Sequence, residues 1–207
     1  MSHFRQDIRQ RADELVALYP RSRSAMLPLL HLAQEQDGYL SDEGIAEVAE
    51  LTDTSAADVR GTASFYDMCH LEPVGKYVVG VCTNIACLLA GGEEMLEHAS
   101  VTLGCAVGAT SEDGLFTLEE SECLAGCDVA PCVQVNHRYV RSTTPEEFDT
   151  LIDDLRRGRL DSDVPAHGTL IRVRRSGGLR APRAEVAEQR TEAKAARDAR
   201  AAKEEKK

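Results

Sequence analysis

The sequence predicts an α/β layer fold preceded by an α-helical N-terminal region. Two observations carry that expectation. Apolar residues recur at helical spacing as far as about Met68, whereas from Val74 onward short β-rich runs alternate with turns and helical stretches. In that second part the order of elements is β-α-β-β-β-α, with a helix crossing over between the early strands. The chain has 207 residues, 43% of them hydrophobic, which is enough for one compact domain with extensions or for two small ones. The expected organisation is a helical region over 1–72, an α/β domain over 73–160, and a loop with a charged low-complexity tail over 161–207.

The elements follow in order. Arg5–Tyr19 places Ile8, Ala12, Leu15, Val16 and Leu18 at helical spacing and meets Pro20. Ser24–Gln36 predicts a second helix, with Pro28 near its first turn and Gly38 past its end. Ser41 is a candidate cap for a third, with Asp42 and Glu43 where the helix dipole favours them. Ser55-Ala-Ala-Asp58 resembles a capping box for a fourth, running to about Tyr66. No constellation of catalytic groups occurs in this region, which reads as a packing or docking module. Tyr77–Cys82 is apolar and predicts a buried strand. Leu88–Leu103 predicts one long helix on Leu88, Leu89, Met95, Leu96 and Ala99. Gly114–Ser121 and Cys132–Val135 predict strands, and Asn136-His137 a tight turn into Arg138–Arg141. Thr144-Pro-Glu-Glu147 opens a last helix that ends near Arg157, before Gly158. A thioredoxin-like sheet is the natural candidate for this order.

Composition excludes several classes of function. Net charge is −11, and its distribution is uneven. Ile171–Lys207 holds twelve Lys/Arg against six Asp/Glu, so the remainder is strongly acidic. An acidic body repels phosphate backbones, which argues against nucleic acid as a partner. The tail from Arg180 reads as a solvated segment, or secondarily as a docking segment for an acidic partner. Aromatics are 4% and Trp is absent, so no stacking platform for bases or sugars is indicated. The longest apolar runs fall far short of the roughly 20 residues that span a bilayer. No apolar signal segment opens the chain, and the expectation is a cytoplasmic protein without direct membrane insertion.

Seven cysteines are present: Cys69, Cys82, Cys87, Cys105, Cys123, Cys127 and Cys132. An odd number without an export signal argues against a disulfide framework. Two pairs stand out, Cys82-Thr-Asn-Ile-Ala-Cys87 and Cys123-Leu-Ala-Gly-Cys127. Each begins where a predicted strand runs out into a loop, and such loops can converge on one site. Structural zinc usually takes tight C-x2-C pairs, and these gaps are looser. A C-x4-C step recurs among 2Fe–2S proteins, which need four thiolates and small neighbours that let backbone N–H groups approach the sulfides. Ala86, Ala125 and Gly126 meet that need. The C-x2-C-x2-C run of 4Fe–4S proteins is absent, as are Rieske Cys-x-His pairs. Zinc stays open on spacing alone.

The pairs in their settings, Val81-Cys-Thr-Asn-Ile-Ala-Cys-Leu-Leu-Ala-Gly-Gly92 and Phe116-Thr-Leu-Glu-Glu-Ser-Glu-Cys-Leu-Ala-Gly-Cys-Asp-Val-Ala-Pro131, resemble a known family. It is that of the thioredoxin-like 2Fe–2S subunit of respiratory complex I, found in bacterial NADH–quinone oxidoreductase and in its mitochondrial counterpart. Tyr19–Ala33, Thr62-Ala-Ser-Phe-Tyr66 and Glu72–Tyr77 are similar to the helical part and the junction of that family. The resemblance covers about Tyr19 to Arg159. It implies a thioredoxin-like 2Fe–2S ferredoxin domain with one cluster on Cys82, Cys87, Cys123 and Cys127. It also implies FMN and NADH on a partner subunit and a neighbouring iron–sulfur subunit. The place it implies is peripheral, on the inner face of the cell membrane through the complex. The chain has no Gly-rich dinucleotide fingerprint, consistent with NADH and flavin binding elsewhere. Two departures are Ala86, where many relatives carry Pro, and Cys132, where an apolar residue is common.

Alternative readings are the equivalent diaphorase component of a soluble NAD-linked hydrogenase or formate dehydrogenase, and a zinc-stabilised thioredoxin-like interaction protein. Cys69, Cys105 and Cys132 are expected to pack as small apolar residues, although Cys132 lies near enough to the pairs to leave room for ligand exchange. His31 is expected in the core or on the surface, and His98 and His137 have no partner at metal spacing. Gly91-Gly92 suits close backbone packing or a weak helical turn. Glu119, Glu120 and Glu122 read as a solvated strand edge whose negative charge disfavours reduction of a nearby cluster.

Overall fold

The computed structural model describes residues 2–140 and 144–168, together with four isolated helical positions, Glu188, Thr191, Glu192 and Ala195. The expected strand end at Arg141 and, those four positions apart, the chain from residue 169 lie outside the described residues. Two compact units divide between Glu72 and Pro73.

The first unit is helical. Helices α1 (Gln6–Val16), α2 (Met26–Asp37), α3 (Asp42–Thr52) and α4 (Ala56–Ala63) bury Ile8, Leu29, Leu30, Leu32, Ile45, Val48 and Val59 in one core. Each such side chain contributes about 1.5–3 kcal/mol on leaving water. The first helix stops three residues short of the expected Tyr19, because Pro20 disfavours helical backbone at the residue before it. The expected second helix begins as a 3-10 turn, Ser22–Ala25, before α2. Pro28 then sits in the first turn of α2, where no N–H is needed. Ser41 caps α3 by accepting from Gly44 N–H at 3.1 Å, and Ser55 caps α4 by accepting from Asp58 N–H at 3.1 Å. The fourth helix closes at Ala63, ahead of the expected Tyr66.

Two buried polar side chains tie irregular backbone to these helices. Gln34 Nε2 donates to Met68 O at 2.7 Å while its Oε1 accepts from His70 N–H at 2.9 Å. The Glu47 carboxylate, 6% exposed, accepts from Ser2 Oγ, His3 N–H and Arg9 Nη1 at 2.7, 2.9 and 2.7 Å.

The second unit is an α/β layer. Strands β1 (Tyr77–Cys82), β2 (Phe116–Ser121), β3 (Val133–Val135) and β4 (Arg138–Val140) form one sheet in the order β2-β1-β3-β4. The β1 and β2 strands run parallel, Tyr77 opposite Phe116 and Cys82 opposite Ser121, so the chain must cross over between them. Helices α5 (Ile85–Leu89) and α6 (Gly92–Leu103) make that crossover. Strand β3 returns antiparallel on the other side of β1, with Val81 opposite Val133. Tyr77, Val79 and Val81 alternate onto one sheet face with Phe116, Leu118, Val133 and Val135. Met95, Ala99 and Leu103 of α6 and Phe148, Leu151, Ile152 and Leu155 of α7 (Pro145–Arg156) join the same core. Thr144 caps α7 by accepting from Glu147 N–H at 3.3 Å. Residues 161–168 pack on this unit through Val164, and His167 N–H donates to Lys76 O at 2.7 Å.

The single helix expected over Leu88–Leu103 is two. Gly91 breaks it in a left-handed conformation, φ 92°. Gly92 then lies so close to the end of β1 that an added Cβ would stand 2.7 Å from Cys82 O and 2.9 Å from Cys87 O. Close approach to the β1 end, which periodicity does not register, dictates the break. The β3–β4 hairpin turns at Asn136 and His137, both with positive φ (49° and 61°), the geometry that follows strand twist. Among the described residues no helix is long and apolar enough to cross a membrane.

Candidate metal centre

Cys82 ends the buried central strand, which fixes its position from both sides. Its N–H donates to Cys132 O at 3.0 Å, and its Sγ donates to Glu122 O at 2.9 Å. Cys87 lies one short turn later on α5, and its Sγ accepts from Cys132 N–H at 3.4 Å. Both side chains are 2% exposed. The second pair has a different setting. Cys123 lies in the loop after β2 and is exposed, and Cys127, also exposed, opens the 3-10 turn Cys127–Val129. Between them Ala125 takes a left-handed φ of 58°, unusual for a residue with a Cβ. The Tyr139 hydroxyl of β4 donates to Leu124 O and anchors this loop to the sheet.

The two loops are clipped together at their bases. Thr83 Oγ1 donates to Glu120 Oε1 at 2.7 Å, and Asn84 Nδ2 donates to Glu122 Oε2 at 3.4 Å. The acidic residues of β2 thus lie at the sheet edge and beside the site.

Electrostatics register the convergence of the sulfurs. Burial pushes the Cys87 thiol up, the Cys132 N–H pulls it down, and Cys82 and Cys127 push it up again. Burial pushes the Cys132 thiol up to about 11, with Cys87, Cys82, Asp128 and Cys127 adding to the rise. Cys87 and Cys132 therefore lie within electrostatic range of Cys82 and Cys127. A bound cation reverses that balance and favours thiolates. Among the described residues no three His, Cys, Asp or Glu side chains converge tightly enough to hold a single metal ion. A two-iron cluster makes a different demand, two thiolates for each iron in separate pairs.

Cys132, expected near the pairs as a small apolar residue, packs with the inner pair itself. It is 1% exposed and shares a small core with Cys82 and Cys87, against which Leu124, Val129 and Ala130 pack. An added Cβ on Gly126 would stand 2.5 Å from its Sγ, so the sulfur occupies the hollow that glycine leaves. Its signal in the sequence was positional, since a strand pairing antiparallel with β1 had to begin opposite Cys82. Cys105 packs instead at the edge of the sheet–helix core, and Cys69 against the core of the helical unit.

The family model described as thioredoxin-like 2Fe–2S ferredoxin matches residues 12–156. The chain belongs to this family. Among curated members of the thioredoxin-like 2Fe–2S ferredoxins, the E subunit of NADH-quinone oxidoreductase from Mycobacterium bovis is 42% identical over 154 residues, 74% of this chain and 59% of that protein. NADH-quinone oxidoreductase subunit 2 of Thermus thermophilus is 38% identical over 159 residues, 75% of this chain and 88% of its own length. The chain thus spans little more than half the length of the mycobacterial relatives. Among solved structures, a chain of an NAD+-reducing NiFe-hydrogenase in the H2-reduced state superposes with a TM-score of 0.60 at 20% identity, covering 70% of this chain and 24% of that one. That likeness concerns the fold.

The donor set suits the family's cluster. Four cysteines come from two clipped loops, two buried at the strand end and two facing outward. A backbone N–H already reaches one sulfur, and the close approach at Gly126 leaves backbone bare beside the site.

Proposed function

We propose that Cys82, Cys87, Cys123 and Cys127 hold one 2Fe–2S cluster, and that the chain is an electron-transfer subunit of NADH–quinone oxidoreductase, respiratory complex I. Bound there, the cluster carries one electron at a time and makes or breaks no bond in a substrate. The chain's own residues supply the rest. Strand β1 and helix α5 fix the inner pair, and the Cys132 N–H stabilises the Cys87 thiolate. Thr83 and Asn84 hold the outer loop against the inner one through Glu120 and Glu122. The negative charge of those two residues opposes addition of an electron. NADH and FMN reside on a partner subunit, a further iron–sulfur subunit lies alongside, and the assembly is peripheral on the inner face of the cell membrane.

The single observation that carries this reading is the pairing of Cys82 and Cys87 at the buried end of β1, within electrostatic reach of Cys127 from the second loop. The names of the relatives support the choice of complex. The diaphorase reading has a neighbour of the same fold in the NAD+-reducing hydrogenase, which at 20% identity speaks to architecture alone.

Anaerobic reconstitution of the full chain with iron and sulfide tests the cluster. A brown protein with two irons per chain and an electron paramagnetic resonance signal on reduction is expected. A folded chain that stays colourless and binds zinc instead overturns the reading. Affinity purification from native membranes tests the complex: quinone-reductase subunits are expected, and hydrogenase or formate-oxidising subunits would select the alternative.

A further inference from the structure

The pairing of β1 with β3 runs one step past Val81 and Val133. Those two residues are opposed, so the next positions, Cys82 and Cys132, face each other across the antiparallel strands. The Cys82 N–H completes that step by donating to Cys132 O at 3.0 Å. Directly opposed residues that share a ladder hydrogen bond stand about 5.5 Å apart between Cα atoms and project from the same sheet face. A disulfide accepts Cα separations of about 4.4–6.8 Å, so this register suits one without movement of the backbone. Both side chains are buried in one small core. Cys87, the third cysteine of that core, sits on α5 and not at a register position.

We propose that Cys82 and Cys132 form a reversible cross-strand disulfide in the cluster-free chain, closed by oxidation and opened by a dithiol before a cluster is built. The inference rests on the ligand assignment above, because the bond withdraws Cys82 and leaves three of the four proposed ligands. The oxidant is a low-molecular-weight disulfide, RSSR. One cysteine attacks it as a thiolate and forms a mixed disulfide with loss of RSH, and the other cysteine then displaces a second RSH. Two cysteine S–H bonds and the RS–SR bond break, one protein S–S bond forms, and the two electrons and two protons leave in the two RSH. Cys123 and Cys127 are exposed and also react with RSSR, but on a loop outside the paired strands. A cluster holds the Cys82 sulfur and closes the site to this reaction.

The test is a disulfide map of the cluster-free full chain, reduced, freed of reductant and then treated with glutathione disulfide. Trypsin with a glutamate-specific protease separates residues 77–93, which hold Cys82 and Cys87, from residues 123–138, which hold Cys123, Cys127 and Cys132. Mass spectrometry of the joined fragments is expected to place the link between Cys82 and Cys132, and Cys132→Ala is expected to lose it. In guanidinium chloride, where the register is gone, the preference for that pair is expected to disappear, and a preference that persists overturns the register as its cause. Iron and sulfide supplied without a thiol reductant are expected to load the reduced chain and to leave the linked chain unloaded until dithiothreitol is added. Cys82 and Cys132 found free, or joined to other cysteines, overturn this inference and leave the ligand assignment standing. A linked chain that loads as fully as the reduced one overturns it too. A reduced chain that takes up no iron and sulfide overturns the ligand assignment instead, since the map is read without any cluster.

Discussion

The backbone N–H of Cys132 donates to the sulfur of Cys87 across 3.4 Å, although 45 residues separate them. The contact exists because β3 pairs with β1 and brings its first residues opposite the end of the central strand. That N–H favours the Cys87 thiolate, against burial and the neighbouring sulfurs, which push its thiol up.

Cys87→Ala is therefore expected to abolish the visible iron–sulfur absorbance, while Cys105→Ala, altering a thiol packed at the sheet–helix core, is expected to keep it. Iron content and absorbance after identical reconstitution give the answer. Equal loss in both, with folding intact, would contradict the ligand set.

Gly126→Ala is expected to displace the outer loop, since its Cβ would meet Cys132 Sγ at 2.5 Å. Overpacking of this kind costs about 1–3 kcal/mol, and iron retention should fall with it. Adding Cys132→Ala makes room, so the double variant should recover thermal stability relative to Gly126→Ala alone. Simple additivity of the two changes would show that the clash is not the cause.

At Gly92 two effects oppose each other. An alanine is favoured over glycine by about 1 kcal/mol in a helix interior, and by less at Gly92, the first residue of α6. Against that, a Cβ here would meet the carbonyl oxygens of Cys82 and Cys87 at 2.7 and 2.9 Å, and backbone cannot swing aside as a side chain does. The clash wins, and Gly92→Ala should lose a net ~1–2 kcal/mol of stability, read as a lower denaturant midpoint. A variant more stable than the parent would refute the close approach.

Glu47 sets an acid limit on the helical unit. Burial alone would raise its carboxyl, but hydrogen bonds from Ser2, His3 and Arg9 outweigh it and hold the group below its ordinary 4.5. A carboxylate lowered by folding contributes stability above the ordinary value and loses it as pH falls through the lowered one. Thermal melts should therefore weaken progressively from about pH 4.5 downward. Glu47→Gln should flatten that slope, and at neutral pH it should lose about 1.5–3 kcal/mol with the charged hydrogen bonds. An unchanged acid profile in Glu47→Gln would assign the weakening to other carboxylates.

What was legible in the sequence was local. Ser41, Ser55 and Thr144 announce helix starts because a side-chain oxygen reaches an N–H only three residues away. Asn136-His137 announces a hairpin because few residue pairs accept two positive φ values in succession. The cysteine pairs were visible for the same reason, each being one loop. What escaped was decided at a distance. The break at Gly91 follows from the seat of Gly92 against β1, while the apolar pattern runs on regardless. Cys132 was visibly near the pairs in sequence, but its burial with Cys82 and Cys87 was decided by strand pairing. Gln34 and Glu47 carry no motif, and their importance appears only with the backbone they hold.

The crossover between β1 and β2 has a consequence for biosynthesis. Cys82 and Cys87 leave the ribosome well before Cys127 and Cys132, and until β3 docks, nothing backs the inner pair. Iron captured by the nascent chain would be held by one loop, open to exchange and to oxidation. Under the ligand set proposed above, the receptacle is complete only once β3 has closed against β1.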